Sequence, residues 1–295
     1  MINVDILGPL AVTVDGMPVT PTAPKPRQVL ALLATSANSV VRNERIIEEL
    51  WEDQPPASVT TTLQTYVYQL RKQLRLAPAA GPGHRHPRRA REDALRTFAG
   101  GYMLSLEPDA LDATRFEHLA RLGTSLLESG ATEEASHTLR RALGLWNGSA
   151  LVDVSPGPIL QVEMLRLDEI RKSAVEARIT ADLQLGRHSE VVSELIGLVA
   201  QHPTHEGFQG KLMLALYRAG RRSAALHAYQ RARGALVAEL GVEPSRELQR
   251  LHQAILAGDG EPHVLLTPQL PMPRQMYAQE TGSMNHRTPP SRSAA

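Results

Sequence analysis

The chain opens on an alternation. Ile2, Val4 and Ile6, then Leu10, Val12 and Val14, place apolar side chains at every second position, the period of a half-buried strand. Asp15-Gly16 after these runs is a hairpin signal leading into Met17-Pro18-Val19. The period then lengthens. Lys25-Pro26-Arg27 opens a helix with Pro near its first position, and Val29, Leu30, Leu32 and Leu33 give that helix its buried side. Asn43, a good N-cap, starts a second helix burying Ile46, Ile47, Leu50 and Trp51. Pro55-Pro56 breaks the chain, and Ser58 caps a third helix running to about Leu76. A loop rich in Gly, Pro and basic residues covers 77–93, and Leu95 to Leu106 reads as a second hairpin turning at Gly100-Gly101. Sheet, three helices, then hairpin predict a winged helix.

From Asp109 to about Leu256 the pattern is helical throughout. Gly130, Gly186 and Gly220 each separate two helical segments, and the last interval is 34 residues, the tetratricopeptide period. The first interval, 56, is that period plus an insertion of 22, which the Pro/Gly-rich stretch Trp146 to Pro158 accommodates. Five residues after each Gly stand Ala135, Val191 and Ala225; nine after stand Leu139, Leu195 and Tyr229. These fit the small and large packing positions of a repeat's second helix. The fold expected is therefore mainly α: a winged helix over 1–107 and an all-α tetratricopeptide-like domain over 108–258. The remainder, 259–295, is Pro-rich and aperiodic, and is expected to be a disordered tail dispensable for folding.

Composition narrows the chemistry. The 295 residues include no cysteine, which removes thiol nucleophiles, disulfide frameworks and Cys-ligated zinc or iron. Aromatic residues are only 4%, so the core must be Leu, Ala and Val packed between helices. The N-terminus lacks a signal-peptide layout, and no run reaches the roughly 18 apolar residues of a membrane span, which favours a cytoplasmic protein. Net charge is +1, but it is unevenly spread. Residues 1–70 hold 4 Lys/Arg against 7 Asp/Glu, 71–96 hold 8 against 2, and 108–258 hold 17 against 18. One short stretch carries the positive charge, which points to an acidic partner for that stretch alone.

The third helix sorts its residues by face. Val59, Leu63, Val67, Leu70 and Leu74 recur at spacings of 4, 4, 3 and 4, forming one apolar stripe. The other face shows Thr61, Gln64, Thr65, Tyr68, Arg71, Lys72 and Arg75, with no carboxylate between Val59 and Leu76. Hydroxyls and amides come first and cations last. Major-groove insertion needs that order, since amides and hydroxyls reach base edges while cations neutralise phosphates. In the hairpin, Arg96 with Gly100 and Gly101 could bring a wing against a sugar–phosphate ridge, and Arg85, Arg88, Arg89 and Arg91 add diffuse positive charge.

No catalytic constellation competes. There is no Gly-x-Ser-x-Gly elbow, His-Glu-x-x-His helix, dinucleotide glycine fingerprint or phosphate loop, so neither enzyme activity nor a cofactor is expected. His84-x-His86 and His202-x-x-His205 lack a third ligand at suitable spacing, so no metal site is expected. Two other readings remain: a protein–protein adaptor whose helical repeats do the binding, or a metabolite-sensing regulator.

Leu63-Gln64-Thr65-Tyr66-Val67, Leu50-Trp51 followed by Pro55-Pro56, and Gly100-Gly101-Tyr102 resemble the Streptomyces antibiotic regulatory protein family. Asp182 to His188, Leu214 to Arg221 and Glu239 to Pro244 resemble its bacterial transcriptional activation domain. The likeness runs over roughly 1–258. It implies a response-regulator-type winged helix, and a transcriptional activator of an antibiotic or secondary-metabolite gene cluster. It further implies binding as a dimer to direct repeats in double-stranded promoter DNA near the −35 region, with recruitment of RNA polymerase holoenzyme. On this reading a piece ending near Glu107 should still bind the promoter but fail to activate.

Overall fold

The computed structural model describes residues 1–76 and 94–258. The loop cations Arg85 to Arg91, the His84/His86 pair and the 259–295 tail lie outside the described residues. The opening alternation forms β1 (Ile2–Asp5), β2 (Ala11–Val14) and β3 (Met17–Pro18), an antiparallel sheet in that order. Val4 pairs with Val12 and Ile2 with Val14, so the apolar positions share one face. The turn between β2 and β3 is Asp15-Gly16, both with positive φ, as its sequence predicts.

Three helices follow: α1 (Pro24–Thr35), α2 (Asn43–Trp51) and α3 (Val59–Leu76). Asn43 is the first helical residue and Arg42 occupies the N-cap position, without a side-chain cap. The reason is a strand too short to leave a periodic signature. Val41–Arg42 forms β4 and pairs with the hairpin, which fixes the backbone one residue before the expected cap. The hairpin is β5 (Leu95–Phe98) and β6 (Gly101–Leu104), in a sheet ordered β4-β6-β5. Ala99 and Gly100 (φ +77°) lie between the strands, so the turn sits one residue earlier than expected.

The helical part comprises α4 (Asp112–Glu128), α5 (Thr132–Leu143), α6 (Pro158–Gln184), α7 (His188–Gln201), α8 (Glu206–Arg218), α9 (Arg222–Leu240) and α10 (Arg246–Ala257). Gly130, Gly186 and Gly220 all fall between helices with positive φ, and all six of the expected packing residues are buried. Asp182 ties the first repeat to the second. Its side chain accepts from Ser136 at 2.8 Å, Arg140 at 2.8 Å, Arg178 at 3.0 Å and Arg187 at 3.1 Å. Desolvation pushes its pKa up, but these donors outweigh it and hold the carboxyl below the ordinary value.

The two expected domains share a core. One apolar cluster runs from Val4, through α1 and α3, to Phe116, Leu151, Leu160 and Ala181; a second runs from Ile179 to Ile255. The insertion in the repeat is what joins the halves. Asn147 N–H donates to the Leu7 carbonyl at 2.7 Å and Leu151 N–H to the Ile6 carbonyl at 3.0 Å. Leu10 N–H donates to Asp153 at 2.8 Å, and Arg27 forms an ion pair with the same carboxylate. A Cβ on Gly8 would lie 2.6 Å from the Asn147 carbonyl oxygen, so the strap lies directly on the β1–β2 connection.

Two buried carboxylates complete the junction. Glu49 of α2, 1% exposed, accepts from the backbone N–H of Gly157 at 2.6 Å, Ile159 at 2.9 Å and Leu160 at 3.0 Å. It thereby caps the N-terminus of α6 and sits where the helix dipole favours a negative charge. Asp112 accepts from Ile6 at 2.9 Å, Leu7 at 2.9 Å and Ala113 at 2.7 Å. Burial nonetheless pushes its pKa up to about 6. The folded chain therefore holds this proton longer than the unfolded chain, so stability from the group falls as pH rises from about 4 to about 6. Thermal melts of wild type and Asp112→Asn across this window should show the wild type losing stability relative to the variant. A relative stability that is flat or rises would contradict the assignment.

Candidate nucleic-acid interface

α3 is anchored before it is displayed. Leu63, Val67, Leu70 and Leu74 are buried in the first core, where α3 packs on α1. Tyr66 stacks on Trp51 at the end of α2, with ring centroids 6.3 Å apart. That contact steadies the α2–α3 connection and the start of α3 against it. The apolar stripe read from the sequence is thus the buried one, except that Val59 is only half-buried.

Thr61, Gln64, Thr65, Tyr68, Lys72 and Arg75 are all exposed, Tyr68 at 66%. Thr65 donates its hydroxyl to the Thr61 carbonyl at 2.9 Å, which leaves its oxygen lone pairs outward. Arg71 is different. It is half-buried, with Nε donating to the Leu95 carbonyl at 3.0 Å and Nη2 to the Thr97 hydroxyl at 2.6 Å. The cation expected to meet a phosphate is bonded to the hairpin.

The hairpin lies beside this face. Arg96 and Gly100 are exposed, and open space surrounds the position of a Cβ at Gly100. Gly101 is buried: a Cβ there would lie 2.5 Å from the Val41 carbonyl oxygen, so glycine is required by the close approach of β4. Asn43 N–H donates to the Gly100 carbonyl at 2.8 Å, which brings the start of α2 to the hairpin turn.

That contact introduces residues the sequence reading missed. Arg42, which pairs with Gly101, is exposed beside the turn, Arg45 is exposed in the first turn of α2, and Phe98 stands 41% exposed at the end of β5. No periodicity marks them, because their proximity depends on the two-residue strand β4. His205 of the His202/His205 pair is an N-cap residue: its Nδ1 accepts from Phe208 N–H at 3.4 Å and its ring stacks on Phe208. Burial lowers its pKa.

Comparison with known proteins places this geometry. Residues 18–83 match the family model described as "Transcriptional regulatory protein, C terminal", and residues 111–256 match "Bacterial transcriptional activator domain". The chain is 47% identical to regulatory protein DnrI of Streptomyces peucetius over 257 residues, covering 87% of this chain and 93% of DnrI. It is 38% identical to regulatory protein AfsR of Streptomyces coelicolor over 86% of this chain, but spans only 24% of AfsR. Among solved structures, Mycobacterium tuberculosis EmbR in complex with a low-affinity phosphopeptide matches with a TM-score of 0.79 at 33% identity. That match covers 87% of this chain and 65% of EmbR. Among the described residues no helix is long and apolar enough to cross a membrane.

Proposed function

Because this chain belongs to the Streptomyces antibiotic regulatory protein family of DNA-binding transcriptional regulators, we propose that it activates a secondary-metabolite gene cluster by seating α3 in the major groove of promoter DNA. The observation that carries the reading is the exposed face of α3, which offers hydroxyls, an amide and cations and no carboxylate. Thr61, Gln64, Thr65 and Tyr68 face bases; Lys72 and Arg75 meet phosphates; Arg96 and Gly100 bring the hairpin to the adjacent groove. Arg42 and Arg45 extend the phosphate contacts at the start of α2.

The DNA contacts reside in 1–107 and the polymerase contacts in 108–258, whose charge is near neutral and whose stacked helix pairs offer an extended surface. Direct repeats near the −35 region would seat two copies head to tail, about one helical turn apart. The protein works in the cytoplasm on the nucleoid, without enzymatic activity.

A gel shift on promoter duplex across a salt series tests this reading. Lys72→Ala should weaken binding to every sequence and reduce the slope of log K against log salt by about 0.9. Gln64→Ala should cost about 1–3 kcal/mol on the cognate repeat and much less on scrambled DNA. Salt-independent specific binding would overturn the groove model, and equal losses on both duplexes would remove Gln64 as a reader.

A further inference from the structure

We infer that Arg71 is a positioning residue that sets the wing against the recognition helix, so that α3 and the β5–β6 hairpin engage adjacent grooves together. The inference rests on the DNA-binding reading above and specifies how its two contact elements are coupled.

Arg71 sits on α3 between Tyr68 and Lys72, both exposed, yet is itself half-buried. Its Nε and Nη2 reach two points on β5, the Leu95 carbonyl and the Thr97 hydroxyl. β5 is an edge strand whose strand partner is β6. The hairpin's other backbone ties join β6 to β4, Leu104 to Asn38 and Gly100 to Asn43, and among the described residues none of these reaches α3. Arg71 therefore joins the two surfaces that must be set at one angle for both grooves to be filled. A guanidinium suits the task, because its planar fork fixes direction through two bonds, whereas an ammonium is a single flexible point charge. A residue used this way contributes orientation; its removal should loosen the hairpin contact, and a lysine that keeps the charge without the fork should not restore it.

The test uses the full chain on promoter duplex, with hydroxyl-radical footprinting and a salt series. Arg71→Ala and Arg71→Lys should each lose the flanking minor-groove protection and weaken specific binding about tenfold, the two variants behaving alike although lysine keeps the charge. Thr97→Val, isosteric and uncharged, should lose about threefold, the size of one net hydrogen bond, with the same thinning of the flank. It should add nothing on an Arg71→Ala background, since the two side chains form one interaction. A slope reduced by about 0.9 in Arg71→Ala, full rescue by lysine and a silent Thr97→Val would overturn the role and make Arg71 a phosphate contact. A wild type that binds promoter and scrambled duplex alike is a different failure: it overturns the DNA reading itself, and this role with it.

Discussion

A chain ending at Glu107 is expected to show no cooperative thermal transition and no promoter footprint. The sequence alone suggests the opposite, because a winged helix is complete by Leu106. The structure supplies the physical reason for the reversal. β1 and the connection after it are held by residues beyond the cut: Val4 N–H donates to the Ala110 carbonyl, Ile6 and Leu7 to Asp112, and Leu10 to Asp153. Phe116, Leu151 and Leu160 belong to the same apolar cluster as Val4, Ile6, Leu7 and Leu10. Re-exposing Ile6, Leu7 and Leu10 would cost about 1.5–3 kcal/mol each, against a total stability of about 5–15 kcal/mol for a typical domain. Circular dichroism melts of the truncated chain beside the full one would decide it. A sharp transition near the full chain's midpoint would show the winged helix to be self-sufficient.

Glu49→Ala is the point substitution with the largest expected cost, about 3–5 kcal/mol. Its carboxylate satisfies three backbone N–H groups at the start of α6 and also accepts from the Gln28 amide at 3.0 Å. Alanine leaves these donors in a closed junction, where each unsatisfied group costs about 1–3 kcal/mol unless water enters. Glu49→Gln keeps one acceptor oxygen and should cost less. Denaturant unfolding should show the loss, and amide exchange should rise first at 157–160. A change under about 1 kcal/mol would mean that water replaces the carboxylate without penalty. The exposed side of α3 is untouched by this change, so any loss of promoter binding should follow the loss of folded protein.

Much of the candidate interface was legible because α3 is amphipathic and its exposed face lacks acidic residues. Periodicity alone separates Leu63, Val67, Leu70 and Leu74 from Thr61, Gln64, Thr65, Lys72 and Arg75. The repeats were legible for a similar reason: each of Gly130, Gly186 and Gly220 is followed by a buried packing residue at five positions and another at nine. Other features depend on partners distant in sequence. Glu49 looks like one more carboxylate on an acidic helix, and its role requires Gly157, which is 108 residues away. Trp146 to Pro158 reads as an interruption between repeats, although it is the strap that fuses the two halves. Arg71 follows the cationic series along α3, and nothing local distinguishes it from Lys72. Asn43 missed its cap because β4, only two residues long, fixes the preceding backbone.

Amide hydrogen exchange of the full chain, with and without promoter duplex, tests the central claim most directly. DNA should slow exchange in α3, around 61–75, and in the hairpin, around 95–104, while α8 to α10 stay unchanged. Protection confined to the helical repeats, with α3 unaffected, would contradict the account.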